Sequence, residues 1–225
     1  MCCSDESSEL VLIPRPQGYG PALAKAWEEL SQLSDDGLVR RKGAKVDLQY
    51  ARLSVKFLTD EFCLDRQTRE VYLGDSVSPP FLAVLVLHYL TNLSGAMPTG
   101  EWISFRQFEG GEFYFPAFAA RTVERLKKTF GGREEKFAEI ANRLGGDRIK
   151  FGDIAFKFLV FPRLVLAVVL HKGCEEFGSD ANLLFDSSCL KLLPTEDAAV
   201  AASLLVSRLC KTAQTGEFPT LRVFS

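Results

Sequence analysis

Apolar positions along the chain change period several times, and each change marks an element. Leu23, Ala26, Trp27, Leu30 and Leu33 recur at helical spacing, and proline is tolerated in a first turn, so Pro21–Leu33 is predicted to be a helix. Ser34–Gly43 is polar and charged and reads as a connector. Over Val46–Leu73 the pattern switches to alternation, with Leu53, Val55 and Phe57 on one side. Glu61–Leu64 and Glu70–Leu73 flank the polar turn DRQTR and read as a hairpin. Ser78-Pro79-Pro80 then opens a helix over Phe81–Leu93. Its apolar residues run all round, which predicts burial on every side.

After Gly95 the loop AMPTGEW leads into an extended piece, Trp102–Phe108. Phe113–Phe130 reads as one helix with a basic end, stopped by Gly131-Gly132, and Glu134–Leu144 as a second, shorter one. Asp153–Phe161 and Leu164–His171 are apolar strands joined at Pro162-Arg163, a connection short enough to require antiparallel pairing. Asn182–Phe185 reads as a further strand. Thr195 is a candidate N-cap, Glu196 and Asp197 suit a first turn, and the last helix runs to about Lys211. Strands and helices come in clusters rather than alternating. The expected class is therefore α+β, a single domain with a mixed or antiparallel sheet and packed helices. Residues 1–20 read as a flexible tail, 21–212 as the domain and 213–225 as a C-terminal extension.

Composition narrows the function classes. The chain has 225 residues, 47% of them hydrophobic and 25% charged, with a formal charge of −2. That balance gives no global field to recruit nucleic acid or an anionic membrane. The apolar runs Phe81–Leu90 and Phe158–Leu170 fall short of the roughly 18 residues a spanning helix needs, so no membrane association is expected. MCCSDESSEL lacks the basic-then-apolar pattern of a secretory signal, and a cytoplasmic location is expected. No CxxC pair occurs among the six cysteines, and no metal site is expected from them. Cys2-Cys3 reads as an incidental pair on an exposed end, with soft-metal binding or oxidation as the alternative. Eighteen phenylalanines suit a core of large flat side chains, with an aromatic-lined pocket as the compatible alternative.

Candidate chemistry concentrates between His88 and Arg121. His88 interrupts an apolar helix, as a hydrogen-bonded core residue, a general base or an axial ligand to a haem or corrinoid metal. Trp102 and Tyr114 offer flat walls with polar atoms. Arg106, Arg121 and Arg163 offer planar forks for a carboxylate or phosphate, or partners for acids of the same domain. His171 and Cys174 stand three apart at a strand end, too few ligands for a metal site. Glu175 and Glu176 are adjacent and point to opposite sides of an extended segment. The expected ligand-binding set is His88, Trp102, Arg106, Tyr114, Arg121, Glu175 and Glu176. No Walker loop, dinucleotide fingerprint, GxSxG or HExxH occurs.

LHYL at 87–90, TGEWISFRQFEGGEFYFPAF at 99–118, FGDIAFKFLVFPRLVLAVVL at 151–170, and EEF followed by LLFD at 175–186 together resemble the domain-of-unknown-function family numbered 3786. The resemblance spans about residues 20–212. It implies no established activity. It implies an anaerobic setting, because some members are joined to an iron–sulfur domain like those of corrinoid methyl-transfer proteins. This chain has His171 and Cys174 where the family pattern has a tryptophan and an acid, Gly178 where it has a proline, and no cysteine cluster. The reading is a ligand- or cofactor-binding accessory protein, linked through the resemblance to corrinoid or one-carbon metabolism, with a small molecule or corrinoid-type ligand as partner. Two alternatives stay open: an enzyme acting on a small anionic substrate, and an interaction module without a pocket.

Overall fold

Helix α3 (Pro80–Thr91) is the centre around which the other elements close. Its residues from Leu82 to Leu87, with Tyr89 and Leu90, are all buried, as its unbroken apolar surface requires. The computed structural model of the chain describes residues 18–173, 178–217 and 221. Most of the expected tail lies outside them, as do Cys2, Cys3, Cys174, Glu175 and Glu176.

Two antiparallel sheets and seven helices make up the described fold, which is α+β. The first sheet has the order β1 (Lys45–Asp47), β2 (Arg52–Phe57), β3 (Asp60–Asp65), β4 (Glu70–Leu73), β5 (Ser76–Val77). The expected hairpin is β3–β4, where Asp65 Oδ1 accepts from the N–H groups of Gln67 (2.9 Å) and Thr68 (3.1 Å) to shape the turn. The second sheet has the order β6 (Trp102–Ser104), β10 (Asp180–Asp186), β9 (Leu164–His171), β8 (Ile154–Phe161), β7 (Asp147–Ile149). The β8–β9 pairing is the predicted antiparallel hairpin.

The sheets and α3 meet at Phe161. Its ring stacks on Tyr89 at 4.2 Å and meets Phe57 edge-on at 5.0 Å. One backbone hydrogen bond, Leu58 N–H to Val160 O at 2.9 Å, stitches the sheets together beside it. A second aromatic cluster joins Phe105, Phe108, Phe118 and Phe185, with Phe105 and Phe118 stacked at 4.0 Å.

Several elements differ from the sequence reading. The first helix, α1, covers Tyr19–Ser31 and begins and ends two residues earlier. Ser34–Gly43 is not a connector but carries α2 (Asp35–Lys42). Ser34 Oγ accepts from Gly37 N–H, acids fill its first turn and bases its last, and Gly43 closes it with φ 66°. Its polar composition hid it, because end signals rather than an apolar face specify so short a helix. Only Trp102–Ser104 of the predicted extended piece is strand. A 3-10 turn follows at Phe105–Gln107, fixed by Gln107 Oε1 accepting from Ser104 N–H. The predicted Phe113–Phe130 helix is two, α4 (Gly111–Arg121) and α5 (Val123–Phe130), broken at Thr122. The Thr122 hydroxyl donates to Phe118 O at 2.7 Å, giving that carbonyl a partner at the break. Helix α6 (Glu134–Arg143) is as expected. Helix α7 runs Thr195–Thr215 with Pro194, not Thr195, at the N-cap; the Thr195 hydroxyl instead donates to Glu109 O at 2.8 Å.

Asp186, 1% exposed, ends β10 and fixes the loop between α3 and β6. It accepts from Thr99 N–H (3.0 Å), Gly100 N–H (2.7 Å), Ser188 N–H (3.0 Å) and Ser188 Oγ (2.6 Å). Burial pushes its pKa up, but these donors outweigh that and hold it below the ordinary value. Its stabilisation is thus present at neutral pH and is lost as pH falls through the depressed folded value. Asp186→Ala is expected to lower stability by about 3 kcal/mol, because two loop N–H groups lose a charged acceptor. Urea denaturation at pH 7 measures this.

Candidate functional site

The strongest pairing of chemistry-bearing groups joins α3 to the first turn of α7. His88 Nδ1 lies 2.6 Å from Asp197 Oδ2, between residues 109 positions apart. The side chain of His88 is 33% exposed and that of Asp197 is 11% exposed. A carboxylate only accepts, so the shared proton sits on Nδ1, and Nε2 of the neutral ring is a lone-pair site. Nε2 has no partner among the described residues. Asp197 is held by the alanine-rich start of α7, where Ala198, Ala201 and Ala202 are buried and let the helix pack closely.

The surroundings are acidic. The Asp197 hydrogen bond raises the His88 pKa above 6.5, against a lowering by desolvation, and the charges of Asp197, Glu29 and Glu196 raise it further. Tyr19, at the start of α1, is pushed up by burial and then by the charges of Glu196 and Asp197, so its hydroxyl lies within the field of the same acids. Arg121, at the end of α4, is lowered by desolvation and raised by Glu196. Glu29 also pairs with Lys25 at 3.8 Å on the exposed side of α1.

The expected site residues therefore divide. His88 and Arg121 both lie within the field of Glu196 on α7. Trp102 is half-buried on β6, the edge strand of the second sheet, and pairs across to Asp186. Arg106 pairs with Glu112 and lies over the Phe115 ring, 3.6 Å from its centroid. Tyr114 is 57% exposed beside Phe113, which is 82% exposed. No hydrogen bond, ion pair or ring contact links His88 to Trp102, Arg106 or Tyr114 among the described residues. Thr195 on Glu109 nevertheless brings the start of α4 to the start of α7, two residues before Asp197. Glu175 and Glu176 lie outside the described residues. His171 accompanies Asn182, Nε2 to Nδ2 at 3.3 Å, and Asp153, Nδ1 to Oδ2 at 4.0 Å. Among the described residues no group of three metal-ligating side chains comes together.

Asp197, Glu196 and Tyr19 were not in the expected set. Asp197 carries a sequence signal only for a helix first turn, and nothing local ties it to position 88. Two concavities lie elsewhere. One, about 430 Å³, lies between the sheets; the other, about 400 Å³, lies beside Gly131 and Lys172. No helix among the described residues is long and apolar enough to cross a membrane.

Residues 36–208 match the family model described as domain of unknown function (DUF3786), and the chain belongs to that family. No curated protein and no solved structure matches the chain.

The dyad predicts a titration. With two histidines in the chain, proton NMR separates His88 from His171. His88 is expected to titrate above 6.5, and Asp197→Asn to bring it down. Its contribution to stability is fully present below the unfolded value and is lost as pH rises through the raised folded value. The wild type should thus lose more stability than Asp197→Asn between pH 6 and pH 9. A His88 titration that Asp197→Asn leaves unmoved would show that the hydrogen bond does not control it.

Proposed function

We propose that this member of the DUF3786 family is a ligand- or cofactor-binding accessory protein in which His88 Nε2 is the ligating atom. The carrying observation is the 2.6 Å contact between Nδ1 and Asp197, with Nε2 left unpartnered on a ring that remains one-third exposed. A ring held by a carboxylate through one nitrogen is fixed in tautomer and orientation and made more basic at the other, the arrangement that metal-ligating histidines use. The acids support a positively charged centre over an anionic one: Glu29, Glu196 and Asp197 all act on His88.

A single oriented imidazole nitrogen supports a corrinoid cobalt as the metal, the cofactor class to which the family resemblance points. His88 would hold it, Asp197 would set the basicity of the ligating nitrogen, and bound cobalt would supply methyl-group or electron transfer. Trp102, Arg106, Tyr114 and Arg121 are proposed to meet the periphery of the ligand, as are Glu175 and Glu176, which lie outside the described residues. His88 and Arg121, both within the field of Glu196, also favour a second reading, with His88 as general base and Arg121 as clamp in an enzyme acting on a small anion. The acidic surroundings weigh against it.

Anaerobically purified protein, examined by absorption and metal analysis and then titrated with aquocobinamide, tests the first reading. A spectral shift on titration is expected, abolished in His88→Ala and kept in His171→Ala. If neither the native preparation nor the titration shows a cobalt-linked spectrum, or if His88→Ala gives the wild-type shift, the assignment is wrong.

A further inference from the structure

The groove between the two sheets is walled by Leu58, Leu144, Leu159, Phe161 and Pro162 and encloses about 430 Å³. That volume lies within the range of small-molecule sites, which are mostly apolar with a few polar groups to orient the ligand. Three features of the chain converge on it.

The first is Leu159. It is 55% exposed at the middle of β8, between Phe158 at 1% and Val160 at 0%. A large apolar side chain is thus held out of the core and into the groove. The second is Leu58. It sits in the β2–β3 turn with φ 53°, a left-handed conformation that glycine or asparagine adopts at less cost. Its N–H fixes the turn to Val160 O on the second sheet, and its side chain forms a wall of the groove. Neither a glycine nor an asparagine would supply that wall.

The third feature is charge. Lys45, Lys56 and Glu61 line the groove. Glu61 accepts from Lys45 Nζ at 3.5 Å and from Ser54 Oγ at 3.1 Å. Lys56 makes no hydrogen bond or ion pair among the described residues. Two cations against one acid leave the groove net positive, in a chain whose overall charge is −2.

We propose that this groove binds a small amphipathic anion, an organic carboxylate on an apolar chain, with the chain against Leu58, Leu159 and Pro162 and the carboxylate on Lys56. The apolar walls exclude a bare inorganic anion as the fitting ligand, and the unpaired lysine excludes a cation. The site is separate from the His88 surface and does not depend on it.

The test uses the full chain and two probes, octanoate and 1-octanol, followed by amide chemical shifts. Octanoate is expected to give saturable shifts at Leu58, Gly145 and Leu159. Lys56→Gln should weaken octanoate about tenfold, roughly one charge-assisted contact, and leave octanol unchanged. Leu159→Trp should fill the groove and weaken both probes at least tenfold. Both positions are at the surface, and thermal melts confirm that the variants are folded. His88→Ala should bind octanoate as the wild type does. Absence of saturable shifts in the wild type overturns the proposal. So does octanoate binding that survives Leu159→Trp, or a Lys56→Gln effect equal for the two probes.

Discussion

A helix without a polar face has to be enclosed on every side, and α3 imposes that constraint on the rest of the chain. Leu82 to Leu87, Tyr89 and Leu90 together remove an entire cylinder from water. At about 2 kcal/mol for each large side chain, the enclosure is among the largest stabilising contributions in the fold. It takes α1 and α2, α7, and the aromatic junction at Phe161 to supply it. The two sheets are not continuous; Tyr89, Phe57 and Phe161 are what they share. The single Leu58–Val160 hydrogen bond adds direction to a contact that is otherwise apolar.

Just past the C-terminus of α3, loop carbonyls take up cations that have no carboxylate partner among the described residues. Lys42, 1% exposed, donates to Ser94 O at 2.9 Å and lies 5.1 Å from the centroid of the Tyr89 ring. Arg163 donates to the neighbouring Gly95 O and also to Arg40 O. The negative end of the helix and its following carbonyls thus substitute for a carboxylate. The substitution is incomplete. Desolvation, with the charges of Arg163 and Arg41, brings the Lys42 pKa down to about 8. The same loop is gripped at its other end by Asp186, so its path from α3 to β6 is set by buried charges at both ends.

What the sequence revealed follows from which forces are local. Partial alternation in Ala155–Val160, the continuous apolar run Leu164–Leu170 and the short Pro162-Arg163 link were enough to read β8–β9, because strand burial is written in the strand's own residues. The α3 burial was legible for the same reason. Helix α2 was not, since its specification lies in Ser34, its terminal charges and Gly43 rather than in a period. The break at Thr122 depends on one hydroxyl meeting one carbonyl, which composition does not show. In the candidate site, His88 was legible as a polar intruder in an apolar helix. Its partner was not, because Asp197 reaches it only after α3 and α7 pack together.

That packing also explains why a histidine can interrupt α3 at little cost. An uncompensated imidazole there would face desolvation on a helix that otherwise has none to tolerate. Asp197 answers it from a helix N-terminus, a position where a carboxylate is stabilised by the N–H groups around it. The hydrogen bond from His88 Nδ1 holds the carboxylate and orients the imidazole at once. A leucine at position 88 would satisfy α3 more simply and would leave Asp197 nearly buried without its partner. The pair is therefore one unit: neither residue is explained by the packing of its own helix, and each is explained by the other. What the unit leaves over, after both helices are satisfied, is a second ring nitrogen, Nε2, without a partner among the described residues, on a side chain that is one-third exposed.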